Sequence, residues 1–389
     1  RKESLSQINA PFLSSGDIIG GAGAITSLEE VHRKVYAGFA EVNVPIIPTV
    51  EVNVAARYDH YNDFGNTTNP KLTVRWQPSR QVLVRGAWGT GFRAPTLSDL
   101  YQPALFTNTN GSFDDPLRCP ITQSVFDCNL QFNSQRGGNR ALKPEKSDQW
   151  YAGIVFEPVV GSSIGLDYFK IKVKNLITNL DATNIFDNFS LYSPTNVVRR
   201  APDPQFPNLP GQILYVIENL VNVGKQETEG FDIDIVHRIP ATSIGRFTAR
   251  FNGTYTMHFK QSTFDAADYP DYVGSRGPDG SIARWRHYVA VDWSSGPFGA
   301  TVSESYQHSY SEPDLVNGGS RRVSPYEIWD LQGRYEGFKN FMITLGVRNL
   351  FDRAPPVSNQ NNNFQVGYDP SYGDPRGRMY YGTLRYSFK

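Results

Sequence analysis

No stretch of this 389-residue chain approaches the roughly 18–20 consecutive apolar residues that a membrane-crossing helix needs. Hydrophobic residues make up only 39%, too few for a bundle of such helices. Net charge is absent as well, with 38 basic residues against 38 acidic. No broad electrostatic footprint for nucleic acid exists, so no nucleic-acid partner is expected. Histidine is sparse: His32, His60, His237, His258, His287 and His308 are scattered and form no metal-spaced pair. Neither an HExxH helix nor a nucleophile elbow occurs. Asp369 and Asp374 do not fit a calcium loop. The expectation is a protein that is not an enzyme and has no cofactor or metal site. Cysteine is nearly missing, and the two copies, Cys119 and Cys128, bracket the polar stretch "CPITQSVFDC". A loop-closing disulfide is the preferred reading over two free thiols, and it implies an oxidising compartment.

What is abundant is glycine (34), phenylalanine (24) and tyrosine (21), a profile of many strands separated by turns. Strict alternation recurs. In "TVEVNVAARYDHY", Val50, Val52, Val54, Ala56 and Tyr58 oppose Thr49, Glu51, Asn53, Arg57 and Asp59. In "RFTARFNGTYTM", Phe247, Ala249, Phe251 and Tyr255 oppose Arg246, Arg250, Asn252 and Thr254. Successive strand side chains point to opposite faces, so each strand has one greasy and one polar face. Thirteen strands are expected, near 33–45, 49–61, 69–77, 81–89, 147–157, 163–174, 213–238, 246–259, 283–294, 298–310, 325–336, 341–349 and 377–389. In "GLDYFKIKVKN" the pattern changes after Tyr168, which a β-bulge would explain.

Short connections ("PIIP", "QPSR", "EPVVGSS", "RIPATSIG", "SSGPF", "EGFKN") alternate with long ones at 90–146, 175–212, 260–282, 311–324 and 350–376; 62–68 is a short exception. Short turns at one end and long loops at the other describe an outer-membrane barrel. All six tryptophans, Trp76, Trp88, Trp150, Trp285, Trp293 and Trp329, fall on the apolar parity and are expected toward strand ends, as aromatic girdles require. In a soluble sandwich they would be core residues. The charges on the opposite parity favour a barrel with a wet or plugged lumen. The expected fold is an all-β antiparallel transmembrane β-barrel, in the outer membrane of a Gram-negative bacterium and in contact with its lipid. With thirteen strands and short turns on the periplasmic side, the first strand would run downward and so would the last. The N-terminus would then lie outside and the C-terminus inside. An even-stranded barrel does not do this, so residues 1–389 are expected to be the C-terminal portion of a larger barrel.

Several stretches carry a resemblance. They are "RGAWGTGFRAPTLSDLY" (85–101), "ALKPEKSDQWYAGIVFEP" (141–158), "NVGKQETEGFDIDI" (222–235), "GVRNLFDRAPP" (346–356) and the closing "RMYYGTLRYSFK". In order and spacing they resemble the barrel of TonB-dependent outer-membrane receptors. That family has a 22-stranded barrel, an N-terminal plug and a TonB box; no plug or box is found in these residues. The resemblance implies energy-coupled uptake of a scarce nutrient, such as a siderophore or an oligosaccharide. It implies a partnership with TonB and its inner-membrane complex through an upstream region. It also implies that Tyr386 and Phe388 form a signal read by the barrel assembly machinery. Lys389 follows Phe388, whereas the family commonly ends on Phe. A passive porin-like channel is the alternative, and an outer-membrane hydrolase a distant third.

Ligand contacts, to a small molecule or a glycan, belong in the long loops. In "NQNNNFQVGYDPSYGDPRGR", Asn363, Phe364, Tyr368 and Tyr372 offer amides and aromatic faces suited to a polar organic ligand, though the same composition suits a solvated loop. Phe92 and Arg93 are candidates for the vestibule lining. The simpler reading of "GTGFRAP" is a structural turn: Gly89 and Gly91 relax the backbone, Pro95 opens a helix, and Arg93 anchors the loop base.

Overall fold

The computed structural model describes residues 1–7, 28–262, 269–277, 280–314, 318–359 and 367–388. The alternating stretches pair into a single 14-stranded antiparallel sheet in which every strand lies beside its sequence neighbours within the sheet. Its strands are β1 (Lys2–Gln7), β2 (Leu28–Ile47), β3 (Val50–Tyr61), β4 (Gly65–Ser79), β5 (Val82–Arg93), β6 (Glu145–Phe156) and β7 (Ser162–Asn179). They continue as β8 (Leu220–Thr242), β9 (Gly245–Ser262), β10 (Trp285–Ser295), β11 (Phe298–Gln307), β12 (Tyr326–Tyr335), β13 (Phe341–Arg348) and β14 (Met379–Tyr386). The order is linear from β1 to β14, so the sheet is open and the outer edges of β1 and β14 are not paired with each other.

Three expectations are corrected. First, a fourteenth strand, β1, pairs with the upper part of β2 from Lys2↔Lys34 to Gln7↔Leu28. The count becomes even, but β1 is short: Lys2 pairs with Lys34, just above the Val35–Tyr61 pair at the top of β3, so the first residues lie at the long-loop end. Second, no bulge follows Tyr168. The register from Gly165 to Lys174 is continuous on β6 and on β8. The irregularity lies one step later, at Asn175, whose φ is +56°. The sequence pattern changes there because the environment of one face changes, not because the strand turns over. Third, the span 213–238 is two strands. Ile213–Ile217 belongs to a small loop sheet and β8 starts only at Leu220. The tryptophans also need refinement: Trp88 and Trp150 pair directly in the middle of β5 and β6, because both strands run on past them.

Cross-strand bonds join side chains on the polar face. Arg85 donates to Asp167 from Nε at 2.8 Å, Asn53 donates to Glu41 at 2.8 Å, Thr254 donates to Asp232 at 2.7 Å, and Arg250 pairs with Asp292. The other face carries exposed apolar groups, among them Val54, Leu72, Val74, Trp76, Ile154, Leu166, Val291 and Leu331. The segment carrying Tyr372 folds over Asp232, Thr254 and Arg286 of the polar face, so the polar face is the interior of the wall.

At the long-loop end, two loop assemblies form. Segments 94–144 and 180–219 build a four-stranded sheet over a core of Phe132, Leu180, Ile185, Ile213 and Val216. Cys119 and Cys128 are disulfide-bonded within it. Buried ion pairs reinforce it: Arg118 with Asp127 at 3.0 Å, and Arg199 with Asp115 at 2.7 Å. So small a core needs such staples. The second assembly joins Tyr310–Pro313 and Ser320–Val323 to two short strands of the 275–282 segment.

The two faces give a direct prediction. Val52 pairs with Val44 and Val74 on the apolar face. In a bilayer, Val52→Arg should cost about 2–4 kcal/mol near the midplane. Asn53→Arg, facing Glu41, should cost far less. Unfolding of the intact protein in lipid vesicles measures both, and equal costs would contradict the assigned faces.

Candidate functional site

The interior wall of β8 to β12 forms one side of a chamber of about 570 Å³. Arg286 and Tyr288 come from β10, Ser305 and Gln307 from β11, and Tyr326 from β12, with Asp232 and Asp234 of β8 beneath. The register places Thr254 beside Arg286, Arg286 beside Gln307, and Gln307 beside Tyr326, so these groups converge by strand pairing alone. Tyr372 roofs the chamber from the segment after β13. It also borders a second space of about 240 Å³ lined by Phe169, Phe259 and Ser281, and so stands between the two.

Tyr372 is held by its neighbours. Its ring lies edge-on to Tyr310 at 6.1 Å and tilted to Tyr326 at 6.4 Å. Burial, with Tyr310 beside it, pushes the phenol far above its usual value, so it remains protonated at any physiological pH. The loop is latched by Asp369. Burial pushes this carboxyl up, but hydrogen bonds from Ser281 Oγ (2.5 Å) and the Ser371 backbone (2.9 Å) outweigh it and hold the group below the usual carboxylate value. Beside the latch, Glu312 is buried and accepts from Ser358 Oγ at 2.7 Å and the Asn359 backbone at 2.8 Å.

Arg286 differs from two other cations of the wall. Arg85 and Arg250 are paired with carboxylates, whereas Arg286 has no ion pair or hydrogen-bond partner among the described residues. The chamber also holds Asp167, Asp232 and Asp234, but Arg85, Thr254 and Asn252 donate to these carboxylates, and the Arg286 guanidinium among tyrosines, amides and hydroxyls is equipped to receive an anionic or strongly polar aromatic group.

The candidates read from sequence are distributed differently. Tyr372 lines the chamber. Tyr368 is half-buried four residues earlier. Asn363 and Phe364, like Lys389, lie outside the described residues. Arg93 donates to Glu145 through Nε (2.7 Å) and Nη2 (2.5 Å), joining the last residue of β5 to the first of β6 at the mouth of the 94–144 loop. Glu145 accepts the Ile177 backbone N–H as well, at 2.8 Å. Phe92 packs edge-on against Tyr61 at 5.9 Å. At the other end of the wall, the Tyr386 ring lies between Phe341 and Phe388, 4.7 Å from each, tilted to the first and edge-on to the second. Sequence reading missed Arg286, Tyr288 and Tyr326. Their polar-face parity was legible, but their convergence depends on the loop that folds over them.

Several known proteins are similar to this chain. The family model described as TonB dependent receptor-like, beta-barrel, matches residues 5–350. The ferric enterobactin receptor of Pseudomonas aeruginosa is 25% identical over 386 residues, covering 96% of this chain and 45% of that protein. The ferrienterobactin receptor of Escherichia coli is 20% identical over 353 residues, covering 87% and 39%. The chain thus spans under half the length of these relatives. Among solved structures, a ferric enterobactin receptor of P. aeruginosa superposes with a TM-score of 0.69 at 21% identity, covering all of this chain and 50% of that one. A siderophore receptor of Acinetobacter baumannii reaches 0.66 at 17% identity, covering 92% and 46%.

The latch generates a pH prediction. A carboxylate whose pKa is depressed on folding stabilises above its unfolded value, about 4, and loses that contribution as pH falls through the folded value. Amide protection in 367–374, the slowing of exchange relative to an unstructured chain at the same pH, should therefore be high and flat above about pH 4 and fall on further acidification. Asp369→Ala should remove roughly 1.5–3 kcal/mol of local protection at neutral pH. An acid-insensitive loop, or an unchanged variant, would refute the latch.

Proposed function

The chain belongs to the TonB-dependent receptor family, over its β-barrel, and from that premise we propose that it is the barrel of an outer-membrane receptor for energy-coupled uptake of a siderophore-type iron chelate. The chamber beneath Tyr372, with Arg286, unpaired among the described residues, on its wall, carries this reading. It offers one guanidinium, several aromatic faces and hydroxyls, and a loop roof, while the floor aspartates Asp232 and Asp234 are engaged by Thr254 and Asn252. These suit a bulky, negatively charged aromatic chelate held without covalent chemistry. A general diffusion pore has no use for such a roofed site. The receptor names of the relatives support the same class of ligand.

On this reading residues 1–389 form the C-terminal part of a larger barrel, because an open sheet edge is not tolerated in lipid and the relatives are more than twice as long. An upstream region supplies the plug and the contact with TonB. The loop assemblies face the exterior, the short turns face the periplasm, and the barrel assembly machinery engages the strand ending in Tyr386 and Phe388.

The test uses the intact receptor in its own outer membrane. Uptake of a radiolabelled ferric siderophore should need the receptor and stop when the proton-motive force is collapsed. Arg286→Ala should weaken binding to whole cells about ten- to a hundredfold, the scale of a single charge-assisted hydrogen bond. Uptake that continues without the proton-motive force would point to a passive channel and overturn the proposal. Phe388→Ala, which removes an exposed aromatic at the closing strand, should lower the amount of heat-modifiable receptor in the outer membrane; normal levels would remove the assembly role.

A further inference from the structure

Besides β2, with 20 residues, three consecutive strands are much longer than a membrane needs. A transmembrane strand takes about 9–11 residues, yet β7 has 18, β8 has 23 and β9 has 18. The surplus extends at the long-loop end, and the register shows what its outer face carries. Reading upward across β6, β7, β8 and β9, one row is Ile154, Leu166, Ile233 and Gly253, and the next is Ala152, Tyr168, Phe231 and Tyr255. Above them come Trp150, Lys170, Glu229 and His258, then Asp148, Lys172, Glu227 and Lys260. The uppermost row is Lys146, Lys174 and Lys225.

The hydrocarbon boundary therefore falls at the Tyr168–Phe231 row and the Trp88–Trp150 pair. The two rows at and above it mix charges in compensating order. Lys170 contacts Glu227 at 2.8 Å and Glu229 at 2.5 Å, and Lys172 lies 3.4 Å from Glu227. The top row does not compensate. Lys146 lies directly opposite Lys174, and Lys174 directly opposite Lys225. Like charges placed opposite each other destabilise a sheet. Lys174 reaches Asp148 only at 3.8 Å, and Lys146 and Lys225 have no ion-pair partner among the described residues. All three are exposed. The row sits four residues above Trp150, roughly 13 Å along the strand, at the depth of lipid headgroups and not of hydrocarbon.

We infer that the Lys146–Lys174–Lys225 row on the outer wall is a docking surface for the phosphorylated headgroup of an outer-leaflet lipid. The inference rests on the membrane reading above. The charge is complementary, and the level is that of the headgroups. Phosphate oxygens spanning adjacent lysines would relieve a repulsion that the fold otherwise leaves standing.

The experiment compares the intact receptor with its Lys146→Gln/Lys174→Gln/Lys225→Gln variant. Both are purified from outer membranes in mild detergent, and the co-purifying phosphorylated glycolipid is measured by mass spectrometry. Retention should fall roughly fivefold for each lysine removed, the scale of a lysine at an anionic membrane surface. Rebinding of stripped receptor should occur with phosphatidylethanolamine bilayers containing bisphosphorylated lipid A, and not with the same bilayers lacking it or with lipid A stripped of its phosphates. Inorganic phosphate at matched concentration should not compete. In glycolipid-free detergent, Lys174→Gln should be at least as heat-resistant as the parent, because one side of the repulsion is gone. Equal glycolipid retention, phosphate-independent binding, displacement by inorganic phosphate, or a less stable Lys174→Gln would each overturn the inference. Heat-modifiable migration serves as the separate control: if parent and variant both lack it, the membrane reading fails; if both show it and hold glycolipid equally, only the docking surface fails.

Discussion

Everything in this wall depends on one requirement: no backbone N–H or C=O is left without a partner where water is absent. The requirement forces each strand to bond to both neighbours. Ladder bonding in turn fixes the two-residue period that divides every strand into two faces. Register then does the remaining work. Once Asp232 is set opposite Thr254, and Thr254 opposite Arg286, the positions of Gln307 and Tyr326 follow without any further instruction. The chamber is a consequence of strand pairing, closed by a single loop. Siting such groups on strands fixes them more firmly than siting them on loops would.

The same logic explains what was legible in the sequence. Thirteen strands could be read because their alternation runs for eight residues or more. β1 could not, since "KESLSQ" has a single apolar residue, Leu5, and shows no two-faced pattern. It is a strand because the upper part of β2 offers it a bonding edge, which is tertiary information. Strands of three to five residues in the loops, such as Val197–Arg199 and Ile213–Ile217, are too short to show a period. The Cys119–Cys128 pair was visible because two cysteines nine positions apart in a polar segment have little else to do.

The candidate site was legible only by halves. Loop composition pointed to Tyr372, and strand parity put Arg286 and Tyr288 on the wet face. Nothing in the sequence says that the segment carrying Tyr372 folds back over those two strands. That folding is decided by the Ser281–Asp369 contact, 88 residues apart in the chain, and by the Tyr310 ring. Arg93 shows the opposite case. A cation beside a glycine-rich turn could be read as a loop anchor, the simpler reading, or as a vestibule contact, and Glu145, 52 residues on, engages it with two hydrogen bonds. A charge is free only if the fold leaves it so.

The lengths of β7, β8 and β9 connect the membrane wall to the loops it carries. A strand that stopped at the hydrocarbon boundary would hand its loops to solvent with nothing to hold them. Here the sheet continues past the boundary, and the loop core of Phe132, Leu180, Ile185, Ile213 and Val216 is reached from strands already paired on both sides. Asn222 shows the junction: its amide donates to the Asn175 carbonyl at 2.9 Å and to the Lys143 carbonyl at 2.8 Å, tying β8 to β7 and to the approach to β6. Carrying a sheet out of lipid obliges its outer face to turn polar, which is why the apolar parity of β7 gives way to Lys170, Lys172 and Lys174 with no bulge between. The pattern change that looked like a break in the strand is the mark of the membrane's edge, written into an unbroken ladder.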